Sequence, residues 1–252
     1  MSANTALVLS PHLDDAAFSC GGLMALLADA GWSVVLVTAF TRSVPSPTGF
    51  ALACQTDKGL DPSADYMQLR RDEDQAAAAI LGVADLRWLD LPEAPHRGYH
   101  SAPALFGPMQ PQDEIWRQLA PMLGALQREL APALVLAPQG LGEHVDHRQM
   151  ILAVAAAMDG APLAYYRDTP YAIRNPCALR NATLPSAPET RVPIAAALDR
   201  KVAASCAYAS QLGFQFGGPA GAAAALRAFA TQEGDGVAAE RLLGSLPDLS
   251  TR

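Results

Sequence analysis

Short apolar runs recur along this chain with helix-length segments between them, and that alternation restricts its fold more than any other feature. Strand-like runs fall at 6–9, 33–39, 86–89, 134–137 and 161–166, and helical patterns at 16–30, 64–81, 112–130 and 148–158. Strands alternating with helices predict parallel strands joined by right-handed crossovers, hence an α/β, doubly wound, mostly parallel sheet with helices on both faces. From about residue 192 the pattern changes to two helices, 195–209 and 220–231, punctuated by Gly217-Gly218-Pro219. No internal repeat is present. The expectation is one domain over 1–252, with a core at about 5–190, a C-terminal helical segment at about 192–245, and a frayed stretch over 245–252.

Two strand ends carry chemistry. Ser10-Pro11-His12-Leu13-Asp14-Asp15 follows the first run, and Gly142-Glu143-His144-Val145-Asp146-His147 follows the fourth. Open α/β sheets bind their ligands at the carboxyl ends of strands. Three of the chain's five histidines lie in these two segments. His12 and Asp15 offer one nitrogen and one oxygen donor, a pairing that suits zinc. One histidine of the second segment would complete the three protein ligands of a catalytic site. Asp14 is then left over as a candidate general base. The plainer alternative for strand-end aspartates is helix capping, and for Asp146 that means an N-cap to the 148–158 helix.

This pair of segments resembles the PIG-L/LmbE-like family of zinc-dependent N-acetylglucosaminyl deacetylases, which remove an N-acetyl group from amino sugars. Pro11-His12-Leu13-Asp14-Asp15 matches the family's Pro-His-x-Asp-Asp segment, and His144-Val145-Asp146-His147 its His-x-Asp-His segment. Softer similarities at 70–74, 88–92, 165–171, Lys201 and 208–211 extend the likeness over about residues 5–215. Leu13 and Ala16 depart from it, since many members have Pro and Glu there, but neither is a ligand position. The resemblance implies a Rossmann-like sheet and a metal held by His12, Asp15 and His147, which chooses His147 over His144. It makes Asp14 the base. His144, oriented by Asp146 and favoured in its charged form, would stabilise the oxyanion or protonate the leaving amine. It also implies a substrate contact from the helix at 64–81, for which Arg71 is the candidate.

Composition removes other classes. A net charge of −7 argues against a general nucleic-acid binder, which needs a basic face. No polybasic cluster or long apolar span points to a membrane. Met1-Ser2-Ala3-Asn4 lacks the charged start of a signal peptide, and Cys20, Cys54, Cys177 and Cys206 are scattered as in a reduced, cytoplasmic protein. Without a Gly-x-Gly-x-x-Gly fingerprint, Gly21-Gly22 reads as close packing or close approach of substrate, not dinucleotide binding.

Two long loops, 41–63 and 91–111, leave the same strand edge as the two motifs, the usual place for lids and binding loops. Arg42, Arg97 and Tyr99 in or beside them are candidate hydrogen-bonding partners for a polar substrate. His96 and His100 flank Gly98 among prolines, which suits structural or substrate-contacting roles better than metal ligation. The expected activity is hydrolysis of a linear amide, releasing acetate from an amino sugar or its conjugate, with zinc as cofactor and iron(II) compatible with the same ligands. The runners-up are hydrolysis of a larger acyl amide or thiol conjugate, and a non-hydrolytic carbohydrate- or metal-binding module on the same fold. The expected partner is a small amino-sugar molecule, with no nucleic acid and no membrane insertion. Assembly into homo-oligomers is left open.

Overall fold

The computed structural model describes residues 3–177 and 181–249. The first two residues of the Met1–Asn4 segment and the last three of 245–252 lie outside the described residues. In chain order the elements are β1 (Thr5–Ser10), α1 (Asp15–Asp29), β2 (Ser33–Thr38), α2 (Gly49–Thr56), α3 (Tyr66–Leu81), β3 (Asp85–Trp88), α4 (Ala102–Leu105), α5 (Trp116–Leu130) and β4 (Leu134–Pro138). There follow α6 (Val145–Ala157), β5 (Leu163–Tyr166), α7 (Tyr171–Arg174), β6 (Glu189–Pro193), α8 (Leu198–Cys206), α9 (Ala209–Phe216), α10 (Pro219–Glu233) and β7 (Ala239–Leu243). Among the described residues no helix is long and apolar enough to cross a membrane.

The strands form one sheet in the order β3-β2-β1-β4-β5-β7-β6. The first five are mutually parallel, as expected. From β1 the chain winds outward to β2 and β3, then returns to the other side of β1 for β4 and β5. The order therefore reverses between β1 and β4, and the crevice beyond that switch point is where doubly wound sheets bind ligands. Both histidine motifs follow these two strands.

Alternate strand residues feed two cores. Leu7, Leu9, Val35, Val37, Val135 and Ala137 pack with Leu119 and Leu123 of α5 and Met150 and Val154 of α6. Their neighbours Ala6, Val8, Val34, Leu36, Leu134 and Leu136 face α1, α3 and α8 through Phe18, Leu23, Leu81 and Ala204. Burial on both faces is why these strands read as continuous apolar runs. In α3 the Asp65 carboxylate accepts from the Gln68 N–H at 2.9 Å, and Gly82, at φ 77°, ends the helix.

Helix α1 is buried on nearly all sides and is broken at Cys20 (φ −122°, ψ 20°). The break frees backbone groups, and two charged side chains take them. Glu240 of β7 accepts from Gly22 N at 2.9 Å and Leu23 N at 2.8 Å. Lys201 of α8 donates to the Ser19 carbonyl at 3.0 Å and to Glu240 at 2.6 Å. A Cβ on Gly22 would sit 2.7 Å from Ile194 and 2.9 Å from Glu240, so this glycine serves close packing.

The C-terminal segment differs from the expected helical tail. β7 runs antiparallel between β5 and β6. Helix α8 is preceded by a 3-10 turn at Ala195–Ala197, and a separate α9 occupies 209–216. The signals were weak for physical reasons: Ala239-Glu240-Arg241-Leu242-Leu243 turns a carboxylate inward to cap α1, and Glu189–Pro193 is a largely exposed edge ending in proline. Leu246 and Leu249 pack on the core, so 245–249 is docked, contrary to the frayed expectation. The 41–63 loop carries a helix of its own, α2.

Candidate metal centre

The turn after β1 is tightly wired. Ser10 Oγ donates to the His12 carbonyl at 2.7 Å and accepts from Ala16 N at 3.1 Å, which gives this hydroxyl a structural task. Asp14, at the N-cap of α1, has φ 144°. Such a conformation costs a non-glycine residue on the order of 1–3 kcal/mol and persists only where neighbours enforce it. Arg70 of α3 does so, donating to the Leu13 carbonyl at 2.9 Å while its other nitrogen pairs with Glu93 at 2.6 Å. After β4, Gly142 (φ 82°) passes so close to Tyr171 that a Cβ would meet its ring at 2.6 Å. Helix α6 then begins at Val145, with His144 in the cap position.

These two turns bring His12, Asp15, His144 and His147 together. Asp15 Oδ2 lies 3.1 Å from His12 Nδ1 and 3.1 Å from His147 Nε2. Donor atoms of the three histidines all fall within 4.8 Å of one another. Each of the two outer nitrogens has its own carboxylate: His12 Nε2 meets Asp146 Oδ2 at 2.9 Å, and His147 Nδ1 meets Asp168 Oδ1 at 2.6 Å. A ligating histidine backed by a carboxylate is the usual second layer of a metal site, because it fixes the ring and raises its basicity.

The donor set passes a chemical test for a cation. His147 Nε2 is buried without a properly aligned hydrogen-bond partner, although Asp15 is close. Burial works against charge on both rings, yet Asp146 and Asp15 raise the His12 pKa well above its ordinary value, and Asp15 with Asp168 raises His147 to about 9. So much carboxylate around two imidazoles calls for positive charge, and metal binding at such sites releases the protons. Asp15 stays low despite its burial because His147 and His12 face it.

Asp14 and His144 flank the cluster in one cleft. Burial and the adjacent Asp15 push the Asp14 pKa up to about 7, with Arg70, 3.8 Å away, pulling against them. His144 departs from expectation. Its Nδ1 accepts from the Asp146 backbone N–H at 3.2 Å, while the Asp146 carboxylate is turned to His12, to Ala94 N at 3.1 Å and to Arg97 at 2.7 Å. Burial and the neighbouring His12 charge lower the His144 pKa to about 3, which disfavours the charged form expected from sequence. The alternative reading of Asp146 as the helix cap is also corrected, since His144, two residues earlier, occupies that place.

None of the four expected substrate contacts lines the cleft. Arg71 bonds Thr41, Ser43 and Gln68 on the outer side of α3. Arg42 pairs with Asp90 at the surface. Arg97 and Tyr99 converge on Asp113 beneath the site, where Arg97 also holds Asp146. The helix face explains the first case: Met67, Arg70, Asp74, Ala77 and Leu81 share the buried stripe of α3, so Arg70 faces the cleft and Arg71 does not. Sequence reasoning also missed Asp168 and Glu93. For Asp168 a signal existed, since it lies just past β5, the strand beyond β4.

A histidine–aspartate cluster at the switch point of a doubly wound sheet makes this an α/β protein with a candidate metal centre. Residues 7–158 match the PIG-L family, described as GlcNAc-PI de-N-acetylase, and the chain belongs to that family. It is 32% identical over 211 residues to the 2'-N-acetylparomamine deacetylase of Streptomyces fradiae, across 81% of this chain and 72% of that protein. Among solved structures it is similar to the zinc-inhibited form of teicoplanin deacetylase (TM-score 0.82, 25% identity, 95% of this chain and 97% of that one). It is likewise similar to the A40926 pseudoaglycone deacetylase (TM-score 0.81, 28% identity, 96% and 97% covered).

Proposed function

We propose that this chain is a zinc-dependent hydrolase that removes the N-acetyl group of an amino sugar or its conjugate. One observation carries the reading: Asp14 and His144 stand in the same cleft on either side of a metal-type donor set, in a chain of a de-N-acetylase family. His12, Asp15 and His147 would hold the metal, and iron(II) suits the same donors. When bound there, zinc polarises the amide carbonyl as a Lewis acid and makes water more acidic.

The remaining steps belong to side chains. Asp14 takes the proton of the attacking water and passes it to the amide nitrogen as the C–N bond breaks, freeing acetate and the sugar amine; a carboxylate with a pKa near 7 is well matched to both transfers. His144 cannot carry its neutral proton on Nδ1, which accepts the Asp146 N–H, so the proton sits on Nε2. That tautomer donates to the oxygen on which negative charge develops. Asp146 positions two rings at once, His12 through its carboxylate and His144 through its backbone. Arg70 and Glu93, both lining the cleft, replace Arg71 as candidates to meet sugar hydroxyls.

The test is primary-amine release from N-acetylglucosamine, its glycosides and nucleotide-linked forms by zinc-reconstituted protein. Release that is lost in Asp14→Asn supports the reading. Tight zinc binding with no release from any N-acetyl sugar would replace it with a binding module.

A further inference from the structure

We propose that the rim of the cleft is a subsite for an aromatic aglycone attached to the amino sugar, an inference that rests on the deacetylase reading. The floor is polar and belongs to the metal cluster. The walls are not. Phe50, Pro95, Leu105, Phe106, Tyr171 and Phe214 line the same space. Among the described residues only four large apolar side chains are exposed, Ile80, Phe106, Phe214 and Val237, and two of them stand at this mouth. Phe214 is 69% exposed and Phe106 43%. Leaving such rings in water costs apolar burial that a ligand can recover.

Two observations select the occupant. The rings run continuously from the chemistry to the rim: Phe106 lies edge-on to His144 at 5.3 Å and to Tyr171 at 5.8 Å between centroids. Polar groups on the outer wall line the space, but they already bond one another. Lys58 donates to the Cys54 carbonyl at 2.5 Å and lies over the Tyr66 and Phe214 rings, Arg174 bonds Gln215, and Gln211 bonds Tyr66. A second sugar would have to compete with those internal bonds for its hydroxyl partners. An aromatic group would gain edge and offset ring contacts, the geometry aromatic pairs prefer.

The experiment compares kcat/KM for amine release by the zinc-loaded protein from the methyl, octyl and 2-naphthyl β-glycosides of N-acetylglucosamine and from N,N'-diacetylchitobiose. Calorimetric Kd values for the corresponding naphthyl and methyl glucosaminides, the free amines, give a readout that needs no turnover. The naphthyl compounds should exceed the methyl ones by roughly 10-fold in both measurements, a gain typical of two ring contacts. Phe214→Ala and Phe106→Ala should each shrink that ratio several-fold. Equal values for naphthyl and methyl compounds, a preference for the octyl glycoside or the disaccharide, or a ratio unmoved by both substitutions would overturn the subsite. Tight naphthyl glucosaminide binding without hydrolysis of any compound would overturn the deacetylase reading and leave the subsite standing.

Discussion

Two buried clusters of charge meet helix α1, one at its start and one at its break, and they are finished to different degrees. At the break in the helix, Lys201 and Glu240 neutralise each other, and both Glu240 oxygens accept backbone N–H groups. At the mouth of the β1–β4 crevice, His147 Nε2 lacks an aligned partner, Asp14 holds a strained backbone, and charge balance favours an added cation. The first cluster is closed and serves the fold. The second is open and serves chemistry. Burial is the same in both, so it is hydrogen-bond completeness that separates a structural ion pair from a site.

The widest separation between them should come from substitutions that cut function on one side and stability on the other. Asp14→Asn is expected to lower kcat by about 10²- to 10⁴-fold, the usual loss for a general base, with zinc content and melting temperature unchanged. Unchanged kcat would remove Asp14 from the mechanism. Lys201→Met should do the reverse, lowering unfolding free energy by about 3–5 kcal/mol in urea titrations because it strands a buried carboxylate. A loss below 1 kcal/mol would mean that water reaches Glu240.

Asp168→Asn probes the layer between the two classes. It should weaken zinc affinity about 10- to 100-fold, measured against a chelating dye, with little change in thermal stability. A large stability loss at unchanged affinity would move Asp168 into the structural class. The smallest effect concerns Asp74, which accepts from Tyr208 OH at 2.6 Å and Trp88 Nε1 at 2.8 Å. Burial raises its pKa to about 6. Between that value and the unfolded value near 4, the folded state holds a proton that the unfolded state has released, so stability from this group rises as pH falls. Relative to Asp74→Asn, the protein should therefore gain up to about 1.4 kcal/mol per pH unit on acidification through that window. A pH-independent difference would show that Asp74 stays ionised.

Legibility in the sequence followed the same division. β1, β2 and β4 were readable because strands buried on both faces leave unbroken apolar runs, and the motifs at their ends were readable because metal donors have few other reasons to cluster there. The structure brings His12, Asp15, His144, Asp146 and His147 together. What escaped was anything that depends on a distant partner. Glu240 in a five-residue strand looks like a surface charge until α1 is broken beside it. Asp146 has the spacing to serve His144, but only the fold shows its carboxylate crossing to His12. Arg71 could have been exchanged for Arg70 by following the apolar stripe of α3. No local pattern placed Glu93, which reaches Arg70 through the path of a long loop.

The placement of β7 also sets an order of events during synthesis. Glu240 is translated some two hundred residues after Gly22 and Leu23, whose N–H groups it caps, and β7 alone joins β6 to the rest of the sheet. The parallel half can assemble as it emerges, since domains fold as their elements become available. Its first helix, however, must wait with the Gly22 and Leu23 N–H groups unpaired until the final strand arrives. A nascent chain halted before residue 239 would thus carry all three proposed metal ligands yet lack the piece that locks the helix beneath them.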